Sequence, residues 1–262
     1  MENRKNTYTV YFFLVFILCC SAFLFDVANM GRWPMEHSFR MRALPMFTSS
    51  FSLGLGNAIW RLLAWGGMGF LGLHLSFKTN FIREILNDDI KRPKIMIITV
   101  LIGIIIGLFF IVYNDIYTGA VSLHGLLLHR RAEFPSSLFT SLAEGIGDRI
   151  LNMFRVVFLM WLFSKVIKSE KGRTVLFGFV AVLSAFIFVL EHIPYTTIFA
   201  RMPGLFNRPS IFSLTPSDYM WIVGLYAPLS LVCTFFLKKY GPLSAITIHF
   251  VCDFTWRVVW AS

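Results

Sequence analysis

Residues 95–113 read IMIITVLIGIIIGLFFIVY, an apolar run interrupted only by Thr99, Gly103 and Gly107. Crossing the roughly 30 Å hydrocarbon layer takes about 20 such residues at about 1.5 Å rise each, so this run has the length and chemistry of a transmembrane helix. Only a helix or a closed barrel satisfies its own backbone hydrogen bonds in lipid, and an unbroken rather than alternating apolar pattern selects the helix. Outward from this run, the same test selects 57–77 and 8–25 toward the N-terminus. Toward the C-terminus it selects 136–163, 174–192, 219–237 and 242–260. A shorter stretch, 46–55, is an eighth and weaker candidate. The expected fold is all-α, a polytopic transmembrane helical bundle of about seven to eight spans.

Composition agrees with that reading. Of the 262 residues 56% are apolar and 15% charged, against about 25% charged in soluble domains, and mean hydropathy is +0.68. A formal net charge of +10 raises the question of nucleic acid. The basic residues gather in short segments between apolar runs instead of forming an aromatic-interleaved face, so the expected partner is the lipid bilayer and no nucleic acid.

Basic residues also orient the chain, because short cytoplasmic connections retain Lys and Arg. The segments 78–94, 165–173 and 238–239 are basic and alternate correctly with a cytoplasmic N-terminus. The longer connections 26–56, 114–135 and 193–218 fall on the other side, and the last contains Pro194, Pro203, Pro209 and Pro216. That connection could gate a site or simply join two spans. The first apolar run follows Arg4 and Lys5 with no small-residue cleavage site after it, so it is expected to be a retained span. The expected location is the cell (plasma) membrane.

Cys19, Cys20, Cys233 and Cys252 all lie in apolar runs without metal or disulfide spacing and are expected to be small buried hydrophobes.

Ionisable residues inside spans are costly unless they face a protein interior, which makes each a site candidate. The 136–163 run carries Glu144, Asp148, Arg149 and Arg155; the 174–192 run ends in Glu191-His192; the last run carries His249 and Asp253. Arg61, alone in its run, reads as a snorkelling or structural residue. Residues four apart share a helix face, which pairs Glu144 with Asp148, Phe188 with His192 and His249 with Asp253. On its own the Phe-to-His spacing carries little in a chain with 29 Phe. Two histidines with carboxylates from three helices suit either metal ligation or water activation. His249, Cys252 and Asp253 also permit a thiol nucleophile with its base.

These residues resemble the CPBP intramembrane protease family, which includes CAAX-processing endopeptidases and abortive-infection-type membrane proteins. That family carries Glu-Glu-xxx-Arg, Phe-xxx-His and His-xxx-Asn or Asp in order. Here Glu144-Gly145 precedes Arg149, Phe188 precedes His192, and His249 precedes Asp253. Gly241-Pro242-Leu243, leading through Ile246 to His249, resembles the family's approach to its last histidine, and Gly241-Pro242 is expected to end one helix and start the next. The resemblance divides the chain into N-terminal transmembrane helices, 1–135, with no match, and a CPBP-like catalytic core, 136–262.

The resemblance implies an endopeptidase acting on a membrane-associated protein or peptide substrate. Glu144 and His192 would activate water, His249 and Asp253 would bind the scissile carbonyl oxygen, and Arg149 would supply a supporting charge. On a metal-dependent reading His192 and His249 would help hold a divalent ion such as zinc.

Gly145 stands where the family has its second glutamate, which removes the acid four residues before Arg149. Asp148 is the expected substitute, because it shares a face with Glu144 and two such carboxylates in a low dielectric would share a proton. One geometric requirement follows. His192 lies about 27 Å along its helix from Thr174, whereas His249 lies about 10 Å from Pro242, so a shared site needs staggered spans. A catalytically silent scaffold with the same fold is one alternative, and a transporter with a proton relay through these groups is another.

Overall fold

The computed structural model describes residues 2–28, 50–79, 81, 92–117, 134–192 and 216–261. These residues are almost entirely helical: α1 (Glu2–Ala28), α2 (Ser50–Trp60), α3 (Gly67–Thr79), α4 (Pro93–Tyr117), α5 (Phe134–Phe163), α6 (Glu170–His192), α7 (Pro216–Tyr240) and α8 (Pro242–Ala261). The segment Arg61–Gly66 is a π-helical turn that joins α2 to α3 in one rod. The described part of the short 46–55 candidate is therefore the beginning of the second rod and not a separate element. Most of the proline-bearing connection 193–218 lies outside the described residues.

Four segments are long and apolar enough to cross a membrane: Asn6–Leu24, Pro93–Tyr113, Glu170–His192 and Ile222–Tyr240. Helices α5 and α8 fall short of that standard because of the polar residues they carry. Their burial accounts for the difference. α5 packs against α1, α3, α6, α7 and α8 and forms the centre of the bundle, while α4 lies outside on α8. Met96, Ile97, Ile105 and Val112 of α4 are exposed. Apolar side chains on the outside and polar ones within is the arrangement expected for a bundle whose solvent is lipid.

Where lipid is as apolar as leucine, helices associate through close packing, and small residues set the distance. A Cβ on Gly103 would stand 2.7 Å from Val251 Cβ, and one on Gly107 would stand 2.8 Å from the Cys252 carbonyl oxygen, so α4 lies on the α8 backbone. Likewise a Cβ on Gly72 would meet Phe154 Cα at 2.8 Å, which brings α3 onto α5.

The α7–α8 corner follows the expected Gly-Pro reading. Gly241 has φ 93°, a left-handed conformation that glycine adopts without strain, and its N–H donates to the Leu237 carbonyl at 3.2 Å. Pro242 then occupies the first turn of α8, where its missing N–H costs nothing. At this level Lys238 Nζ lies 4.0 Å from the Phe177 ring centroid. Phe177 is seven residues into α6, so about 10 Å of that helix extends past the corner. This supplies part of the stagger that a shared site for His192 and His249 requires.

Candidate functional site

Near the centre of the bundle three helices bring their polar residues together. α5 contributes Glu144 and Asp148, α6 contributes His192 from its last turn, and α8 contributes His249 and Asp253. Asp148 sits between the two imidazoles: its Oδ2 is 3.9 Å from His192 Nε2 and 4.0 Å from His249 Nε2. His249 Nε2 is also 3.3 Å from Asp253 Oδ2, across one turn of α8.

The surroundings of His192 assign its tautomer. Its Nδ1 is 2.8 Å from the Phe188 carbonyl oxygen, and a carbonyl can only accept, so Nδ1 carries the hydrogen and Nε2 is left as an acceptor facing Asp148. Two aromatic rings hold the imidazole in place: Phe188 at 4.3 Å between centroids and Tyr226 of α7, stacked at 4.0 Å and 29°. His249 takes the opposite role. Its Nε2 faces two carboxylates, which favours a hydrogen there and leaves Nδ1, buried without a hydrogen-bond partner among the described residues, as a bare lone pair.

Arg149 is buried and its guanidinium lies over the Phe188 ring, 4.5 Å from the centroid. The cation that would have met the absent glutamate is thus carried by an aromatic face. A cation–π contact of this kind contributes roughly 0.5–2 kcal/mol. Phe188 therefore has three tasks: it carries Arg149, its carbonyl orients His192, and its ring stands 5.9 Å from that of His249.

Packing accounts for Gly145. A Cβ there would lie 2.9 Å from both Cα and N of Phe250, so the crossing of α5 and α8 leaves no room for a glutamate. Glu144 finds a different cation: Arg257 donates to its carboxylate in a close ion pair. Arg257 also lies within electrostatic reach of Asp253 and Tyr226.

The remaining candidates are structural. Glu191 turns to Arg155, with 2.5 Å between Arg155 Nη1 and Glu191 Oε1. Arg61 does not snorkel; it is buried in the π-helical turn with its guanidinium 3.9 Å from the Trp65 ring centroid. Cys252 belongs to the apolar core and the bare Nδ1 of His249 has no hydrogen-bond partner among the described residues, so the two do not form a thiol–base pair. Cys233 and Cys252 are buried free thiols, as expected; Cys19 and Cys20 are half-buried. Below the site, Ser184 donates to Asn152 Oδ1 at 2.6 Å and Asn152 Nδ2 donates to Thr234 at 3.0 Å, tying α6, α5 and α7 together.

Two site residues escaped the sequence reading. Arg257 continues the four-residue series His249, Asp253, Arg257, and the same spacing rule would have found it. Nothing in the spacing distinguishes Tyr226.

No family model, curated protein or solved structure matches this chain. The site's chemistry has to carry the reading.

No group of three or more His, Cys, Asp and Glu among the described residues stands close enough to hold a metal ion. That includes His192 and His249, the two residues expected to help hold a metal. What the arrangement does suit is water. Gaps of 3.9 and 4.0 Å are too wide for direct hydrogen bonds and fit one bridging molecule. Such a water would accept from His249 Nε2–H and donate to His192 Nε2 and Asp148 Oδ2, using both of its hydrogens and leaving one lone pair free.

Proposed function

We propose that this chain is an integral membrane endopeptidase of the CPBP type that hydrolyses a peptide bond in a membrane-associated protein or peptide. In this reading all seven rods cross the cell membrane and the N-terminus is cytoplasmic. The observation that carries it is the placement of Asp148 Oδ2 between two imidazole Nε2 atoms, one an acceptor and the other a donor.

Asp148 and His192 draw a proton from the held water as its oxygen attacks the scissile carbonyl carbon. The carbonyl oxygen becomes an oxyanion, and His249 Nε2–H, which faces Asp253 Oδ2 at 3.3 Å before substrate binds, turns to donate to it. Collapse of the tetrahedral intermediate breaks the C–N bond, and the proton held by the base passes to the leaving amine. We assign the base to Asp148 over Glu144 because the Glu144 carboxylate is already paired with Arg257. Glu144 stays at the rim of the site one turn away on the same face.

That ion pair also favours a second reading, a scaffold that keeps the fold and binds without cutting. Comparing the terminal peptides of membrane proteins from cells carrying the wild-type chain, Asp148→Asn or Glu144→Gln separates the two. Endopeptidase action predicts a small set of termini found with wild type and lost with Asp148→Asn. Identical sets in all three, at matched levels of folded protein, would leave the scaffold.

A further inference from the structure

The polar residues of the site are not uniformly buried, and the gradient has a direction. Along α5 the exposed fraction falls from 32% at Glu144 to 15% at Asp148 and 0% at Asn152. Along α8, which runs the opposite way, it falls from 22% at Arg257 to 9% at Asp253 and 3% at His249. On α6 it falls from 24% at His192 to 0% at Phe188. Three helices from different parts of the chain thus describe one funnel. Its mouth lies beside Glu144 on α5, one turn beyond which Thr140 is again buried, and at the C-terminal ends of α6 and α8. Its floor is closed by the Arg149–Phe188 stack and the Ser184–Asn152–Thr234 ladder.

Ring contacts establish which helix ends lie together. Tyr8 of α1 meets Phe77 of α3 at 5.3 Å between centroids, and Phe23 meets Phe51 of α2 at 5.4 Å, so α1 and the α2–α3 rod are antiparallel. Tyr113 near the end of α4 donates to the Met220 carbonyl near the start of α7 at 3.1 Å. At the opposite end of the bundle Phe81, Phe177 and Lys238 cluster. Lys78, Lys94, Lys165, Lys171 and Lys239 belong to the helix ends and turns on that same side. The connections 26–56, 114–135 and 193–218, which join the helix ends at the funnel's mouth, carry seven Lys and Arg in 79 residues, whereas 78–94, 165–173 and 238–239 carry eleven in 28. Short cytoplasmic connections retain Lys and Arg, so the mouth and the densely basic connections mark opposite faces of the membrane.

We infer that the site opens to the extracytoplasmic face. Its substrate is then an extended segment of a membrane-anchored protein lying outside the cytoplasm. The direction of opening stands on the exposure gradient and the distribution of Lys and Arg alone; the substrate class rests on the endopeptidase reading as well.

Cysteine accessibility tests the opening without any assay of activity. Glu144→Cys and His192→Cys would be made separately, with Lys171→Cys as the marker for the other face and the unsubstituted chain as the blank for its four own cysteines. A membrane-impermeant maleimide would be applied to right-side-out and to inverted membrane vesicles. We expect the two site cysteines to react in right-side-out vesicles, at least tenfold faster than in inverted ones, and Lys171→Cys to show the reverse preference. Site cysteines that react from the same face as Lys171→Cys, or from neither face, would overturn the inference, as would an exchange of sides by both sets. For the substrate half, cut sites mapped to extracytoplasmic segments are expected, and cut sites in cytoplasmic segments overturn it even if proteolysis itself is real.

Discussion

α4 and α5 follow each other in the chain and are built on opposite principles. α4 is the most apolar helix of the bundle, yet only 22% of its spanning window is buried. α5 carries Glu144, Asp148, Arg149, Asn152 and Arg155 and is the helix around which the others pack. In a water-soluble protein the more apolar helix would be the core. Here the apolar side chains lie outside and the polar ones within, the arrangement expected where the solvent is lipid, because a charge facing hydrocarbon costs several kcal/mol and one facing other helices can be paired.

The sharpest way to separate the two helices is to remove the carboxylate on which α5's function is proposed to rest. Asp148→Asn keeps the volume and is expected to lower turnover of a reconstituted substrate by about 10²–10⁴-fold, the usual share of a general base, with unchanged folded yield. Undiminished turnover would mean that the polar face of α5 serves structure alone. The converse experiment places a charge on α4. Ile105→Asp, at a position 64% exposed, should cost about 2.5–3.5 kcal/mol of insertion, read as a fall in the membrane-inserted fraction by protease protection. Insertion as efficient as wild type would show that this face does not meet lipid.

A smaller effect is expected from placing a glutamate at position 145. Gly145→Glu should destabilise the protein by roughly 1–3 kcal/mol in detergent unfolding, because the new Cβ meets the backbone of Phe250 at 2.9 Å and backbone cannot turn aside as a side chain can. A more stable or more active Gly145→Glu would refute the close α5–α8 crossing. The smallest change comes from the ladder beneath the site. Asn152→Leu removes hydrogen bonds to Ser184 and Thr234 and should cost about 0.6–2 kcal/mol, since polar pairs between membrane helices are worth little more than in water. A larger loss would make the ladder, and not close packing, the main tie between α5, α6 and α7.

The sequence by itself determined the helical character of the chain and its membrane-length apolar runs, and the Gly241-Pro242 corner, through backbone preferences that need no partner. It also nominated Asp148, His192, His249 and Asp253, because a polar side chain in an apolar run is conspicuous and a spacing of four places it on a known face. Tertiary structure alone decided what those residues meet. The ion pair from Glu144 to Arg257, the stacking of Tyr226 on His192 and the guanidinium of Arg149 over Phe188 join residues far apart in the chain. Such pairings depend on the depth and rotation of each helix, which glycines at the crossings set and which no local pattern encodes. The same holds for Gly145, unremarkable as a single glycine in sequence and a steric necessity where α5 crosses α8.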